Sequence, residues 1–215
     1  MRENALCVRW REKYGQNYIP DGIVNEEIFE KESIRFVFVL KEVSDCYNDF
    51  DLRKFLSEGA PGNGGHTWAP VVRWLGATAG ITFSCAPNVD VRKQYLQKIG
   101  AMNLKKTTGS TVAIKEKIAQ AAKQDADLLR EQVQLYLEKP TLFPCCGENV
   151  FEHFCDCVVG NIKENEKTTE EGIKYIKFNE NGIAFRFHHP NAKVSGRPEL
   201  FAKTVNRLVH AFIIK

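Results

Sequence analysis

The sequence predicts an α/β protein with helices on both faces of a mainly parallel sheet. Three observations carry that expectation. Short apolar runs rich in β-branched and aromatic residues recur along the chain, the clearest being Ile34 to Leu40. Stretches with apolar residues at helical spacing alternate with them, as at Ser110 to Leu137 and Leu200 to Ile213. With 215 residues, 43% hydrophobic and 27% charged, the chain is long and apolar enough to bury one sizeable core, so one domain over residues 1–215 is expected.

The elements follow in order. Ile34 to Leu40 reads as a buried parallel strand, because no polar residue interrupts its second half. Asp49 to Leu56 reads as a short helix. Gly59-Ala60-Pro61-Gly62-Asn63-Gly64-Gly65 is a loop by composition. A helix begins near Thr67, with Val71, Val72 and Leu75 on one side. Val89 to Gly100 is read as helical with a turn, and Ala101 to Leu104 as a second strand. In Ser110 to Leu137, Val112, Ile118, Ala122, Leu129 and Val133 fall in phase for a helix. Thr141 to Cys146 is a third strand and Val150 to Phe154 a helix. Asn161 to Glu171 is polar and charged, which predicts an exposed loop. Tyr175 to Phe178 and Ile183 to Phe187 read as strands around the turn Asn179-Glu180-Asn181-Gly182. The last helix carries Phe201, Val205, Leu208, Val209 and Phe212 on one face.

Bulk composition excludes some classes. No run of ~18 apolar residues is present, so no membrane partner is expected. The N-terminus lacks the apolar stretch of a signal peptide. Seven cysteines, an odd number, suit a reducing cytoplasm and free thiols. Their spacing is not that of paired zinc ligands, so no metal is expected. The net charge of +3 and pI near 8.4 permit nucleic-acid binding without requiring it.

In a parallel sheet, ligands bind beyond the carboxyl ends of the strands. After the first strand come Lys41, Glu42, Val43, Ser44 and Asp45. The second ends in Asn103-Leu104-Lys105-Lys106, and the strand at Phe187 leads into His188-His189-Pro190-Asn191. One rim thus gathers a carboxylate, an amide and a histidine. A carboxylate holds water or stabilises a cation. An amide pairs with a base edge through its donor and acceptor together. A histidine stabilises a leaving group that carries negative charge.

In that order and context, the chain resembles the uracil-DNA glycosylase superfamily. Phe36 to Glu42 is similar to its first motif, an apolar strand followed by Gly-Glu-Ala-Pro or a relative. Met102 to Lys106 is similar to the strand ending in a base-reading Asn. Leu142 to Gly147 is similar to the strand ending in Gly before a helix. Phe187 to Asn191 is similar to the last motif, His-Pro-Ser before a DNA-inserting loop. The resemblance covers roughly residues 33 to 213. It implies a three-layer α/β/α fold with a central, mainly parallel four-stranded sheet.

The resemblance also implies roles. Glu42 and His189 are the expected catalytic residues, with Asp45 as a further carboxylate. Asn103 reads the flipped base, Trp68 stacks on it, and Lys41 contacts it. Lys193, Val194, Ser195, Arg197 and Lys105 meet DNA, with Val194 as a wedge. Lys41 stands where the family has Gly, Ser44 where it often has Pro, Val43 where some branches have Asp, and Asn191 replaces Ser. The implied activity is hydrolytic excision of a base from DNA by a monomer without a cofactor. The base is uracil or a modified pyrimidine such as glucosylated hydroxymethylcytosine of phage DNA, which implies repair or antiviral defence. A catalytically inactive DNA-binding relative is the alternative. A nucleotide-binding α/β protein ranks last, because Gly59 to Gly65 matches no phosphate-binding loop.

Overall fold

The computed structural model describes residues 3–44, 49–109, 114–160, 165–193 and 195–213. Its strands are β1 (Gly22–Ile23), β2 (Arg35–Leu40), β3 (Gly100–Asn103), β4 (Thr141–Cys146), β5 (Lys167–Thr168), β6 (Lys174–Asn179) and β7 (Gly182–Phe187). They form one seven-stranded sheet in the order β1-β3-β2-β4-β7-β6-β5. Neighbours within β3-β2-β4-β7 run parallel. β1, β6 and β5 add to its edges in antiparallel sense. The expected four-stranded sheet is therefore too small. Strands of two residues, as β1 and β5 are, show no periodicity to read. Lys167–Thr168 also replaces part of the expected loop 161–171 with strand, while residues 161–164 lie outside the described residues.

The helices are α1 (Asn4–Tyr14), α2 (Glu26–Lys31), α3 (Leu52–Ser57), α4 (Gly65–Thr78), α5 (Val89–Leu96), α6 (Lys115–Gln124), α7 (Ala126–Gln134), α8 (Val150–Phe154) and α9 (Arg197–Ile213). Alternate strand residues face opposite layers. Val37, Val39, Met102, Phe143 and Cys145 pack with residues of α1, α6, α7 and α8. Phe38, Leu40, Ala101, Leu142 and Phe185 pack with residues of α3, α4, α5 and α9. Side-chain caps fix three helix starts. Asn25 accepts from Ile28 N–H at 3.1 Å, Asp51 from Arg53 N–H at 2.8 Å, and Asn88 from Val91 N–H at 3.0 Å.

The helical stretch expected to end near Leu137 breaks in two at Asp125. This buried carboxylate accepts from Lys13 Nζ at 2.6 Å and Tyr14 Oη at 2.7 Å, both on α1. Asp125 has φ −104° and ψ 8°, so α6 stops there and α7 restarts. Ser110 to Ala113, where the expected helix began, lie outside the described residues.

A buried ion pair ties the N-terminal segment to the sheet. Lys106 Nζ donates to Asp21 Oδ1 and Oδ2 at 2.7 and 2.8 Å and to Gln132 Oε1 at 2.7 Å. Both charged side chains are 0% exposed. Gln132 Nε2 donates back to Asp21 Oδ1 at 3.0 Å, and the Asn103 N–H donates to Asp21 Oδ2 at 2.7 Å. The ammonium also lies 5.4 Å from the Trp10 ring centre. Nearby, Tyr136 Oη donates to Glu3 Oε1 at 2.6 Å, and burial pushes the Glu3 carboxyl above its ordinary value.

Removing one member of a buried pair strands the other charge, which costs about 3–5 kcal/mol. Asp21→Asn or Lys106→Met alone should lower unfolding free energy in urea by that order. Asp21→Leu combined with Lys106→Met should cost less than the sum of the single losses, since no unpaired charge remains, although the Asn103 N–H and Gln132 lose partners. Additive losses in the double variant would refute this reading.

Candidate active site at the carboxyl rim of the sheet

Register brings the strand ends to one edge. Leu40 pairs with Asn103, Val39 with Cys145, and Cys146 with Phe187. Along the rim the order is Asn103 on β3, Lys41–Glu42 after β2, Gly147–Glu148 after β4, and His188–His189 after β7. Strands lie about 4.8 Å apart, so the outer two backbones are separated by roughly 14 Å.

Backbone bonding carries β2 and β3 past their ends. Lys105 N–H donates to Lys41 O at 2.9 Å, and Gly109 N–H to Val43 O at 2.8 Å. Glu42 lies in this zipped segment, its side chain 6% exposed and ion-paired with Lys105. Lys105 Nζ also donates to Thr108 O at 2.7 Å. Lys105, expected at DNA, is thus engaged by the expected catalytic carboxylate. The Gly109 Cα sits against the same carboxylate. A Cβ there would lie 1.9–2.2 Å from the Glu42 carboxylate atoms, so any side chain at this position displaces the carboxylate. The sequence carries no signal for Gly109, because its partner is set by the fold.

His189 is held by its backbone and its ring. Its carbonyl accepts from Ala192 N–H at 2.9 Å and from Arg197 Nη1 at 3.0 Å. Arg197 Nη1 also donates to Pro190 O at 2.7 Å, and its guanidinium lies 5.8 Å from the Trp74 ring centre. The Asn191 N–H donates to His189 Nδ1 at 3.2 Å. That leaves Nε2 to carry the proton of the neutral ring. Burial lowers the His189 pKa, and the positive charges of Lys41 and Arg197 lower it further. Burial, Arg197 and Arg186 lower His188 likewise. Gly147, at φ +113°, brings the turn after β4 against the His189 ring.

The remaining expected residues divide. Asn103 is 2% exposed at the end of β3, its backbone fixed by Asp21. Trp68 is 4% exposed in the core between α4 and the sheet, where it packs as an apolar residue. Lys193 and Ser195 are exposed on the segment between β7 and α9. Arg197, expected near phosphates, braces that segment. Asp45 and Val194 lie outside the described residues. Sequence reading named His188 without giving it a role and passed over Arg186 and Glu148 near the same rim; Glu148 pairs with Lys115 at 2.6 Å.

Among the described residues, no three His, Cys, Asp or Glu side chains gather to hold a metal ion. Burial raises the Cys145 and Cys146 thiols, so both behave as core hydrophobes. No protein-family model matches the chain, and no curated protein matches it.

Gly109→Ala should expel the Glu42 carboxylate from its place beside Lys105. Crystallography of the variant would show the displaced side chain; an unmoved Glu42 would refute the close packing. The histidines give a pH prediction. Their folded pKa values lie below the unfolded value of about 6.5, so the unfolded chain binds more protons below that pH. Their contribution to stability should be complete above that pH and fall as pH drops through the window beneath it. A His188→Gln/His189→Gln variant should show a shallower loss between pH 7 and pH 5 in denaturant titrations. An unchanged slope would contradict the shifts.

Proposed function

We propose that the chain is a DNA glycosylase, which flips a damaged or modified base out of DNA and hydrolyses its glycosidic bond to leave an abasic site. The observation that carries this reading is the strand order, which sets Asn103 at the end of β3, the buried Glu42 carboxylate after β2 and His189, its pKa lowered by burial, after β7 on one rim. A base within a duplex is out of reach, and extruding it costs a few kcal/mol. The exposed segment bearing Lys193 and Ser195 engages the strand and offsets that cost.

Bond cleavage leaves positive charge on the sugar and negative charge on the base. His189 Nε2–H donates to the departing base, a role suited to a ring kept neutral by burial and neighbouring cations. Asn103 offers a donor and an acceptor to the base edge. Glu42 supports the sugar cation and positions water. Uracil and glucosylated hydroxymethylcytosine are the bases this reading favours, in repair or in defence against phage. It places no cofactor in the reaction and takes the chain to act as a monomer.

The ion pair between Glu42 and Lys105 favours a second reading, an inactive DNA-binding relative, because it occupies the carboxylate that catalysis requires.

DNA carrying uracil, hypoxanthine, hydroxymethylcytosine or its glucosyl form, incubated with the protein and cleaved in alkali, separates the two. The glycosylase reading expects strand breaks at one of these bases. His189→Ala should reduce them by roughly 10²–10³-fold, the cost of losing one donor to a developing anion. Salt-sensitive binding with no abasic product would establish the second reading instead.

A further inference from the structure

Arg73, half-buried on α4, carries a guanidinium that the mechanism leaves unused. It projects from α4 into a cleft of about 460 Å³ between the end of that helix and the first turn of α9. Gly80, Ile81, Thr82 and Phe83 form one wall, and Gly196, Pro198 and Glu199 the other. Among the described residues Arg73 has no hydrogen bond or ion pair, and its Nε is buried without an acceptor. Glu199 lines the same cleft without pairing to it. By contrast, Arg92 on neighbouring α5 spends its guanidinium on the carbonyls of Gly59, Ala60 and Pro87. A buried N–H without a partner costs about 1–3 kcal/mol, so the buried Nε of Arg73 at a cleft marks a place for an acceptor.

We infer that the Arg73 cleft is a subsite for a DNA backbone phosphate, beside the reacting nucleotide. A planar guanidinium fork matches phosphate oxygens in a way a lone ammonium does not. The cleft's lip supplies the location. Gly196 directly follows exposed Ser195, on the segment that also carries Lys193. A strand lying along that segment to reach the rim passes over the cleft. Arg197, the adjacent cation, is committed to the His189 and Pro190 carbonyls, so beside exposed Lys193 it is Arg73 that offers a planar fork to a phosphate. The inference rests on the DNA-binding part of the reading above, but not on excision.

The test measures binding of an unmodified duplex by fluorescence anisotropy from low to moderate salt, for the wild type, Arg73→Gln and Arg73→Lys. One phosphate contact contributes about one unit to the slope of log affinity against log salt. Arg73→Gln should lower the slope by about one unit and weaken low-salt binding roughly tenfold. Arg73→Lys should keep the slope and lose part of the affinity. The melting temperature should not fall in either, since Arg73 bonds to nothing that it would leave unpaired.

Equal slopes for wild type and Arg73→Gln would overturn the inference, whatever the excision panel shows. A slope difference together with no excision would support the subsite and overturn the glycosylase reading. Absence of duplex binding by the wild type would overturn both. An inorganic phosphate titration followed by NMR forms the last arm. Perturbation of Arg73 by phosphate, with no slope change on DNA, would assign the cleft to a free phosphate and overturn the DNA assignment.

Discussion

The structure depends on one buried ion pair. Asp21 and Lys106, both without access to solvent, close on each other, on Gln132 of α7 and on the backbone of Asn103. Desolvating two charges is unfavourable unless their remaining bonds are met, and here each oxygen and the ammonium has several partners. The pair therefore acts as a register device. It brings the segment before β1, the end of β3 and the middle of α7 to one point. Because Asn103 lies at that point, the geometry of the rim follows from the pair.

On the rim itself, charged side chains that look free in the sequence hold loops in place. Lys105 is tied to Glu42 and Thr108, and Arg197 to two carbonyls around His189. These bonds fix the backbone from which Glu42 and His189 project, so that the polar groups are organised before any ligand arrives. Under the proposed glycosylase reading, donors fixed in this way would need no rearrangement as charge develops. The Glu42–Lys105 pair works the other way as well, since a bound ligand must compete with it.

Much of the fold was legible in the residues. Thr141–Cys146 and Val150–Phe154 coincide with the expected strand and helix, and the hairpin around Asn179 to Gly182 is present. Continuous apolar runs and turn residues are local signals, and these elements are locally determined. What escaped was non-local. Asp21 and Lys106 are 85 positions apart, and Glu42 and Lys105 63 apart. Each looks like a solvated surface charge until the fold joins them. The first thirty or so residues lack long apolar runs, so α1, β1 and α2 went unread. Trp68, which the resemblance places beside a base, is buried among the apolar residues of one core layer.

Hydrogen–deuterium exchange on the protein with a duplex containing a tetrahydrofuran abasic site tests the central claim most directly, because it needs no knowledge of the base removed. Peptides covering 41–44, 103–109 and 188–193 should exchange more slowly with this duplex than with an unmodified one. Protection confined to other surfaces, or none at those three peptides, would contradict a rim that receives an extruded nucleotide.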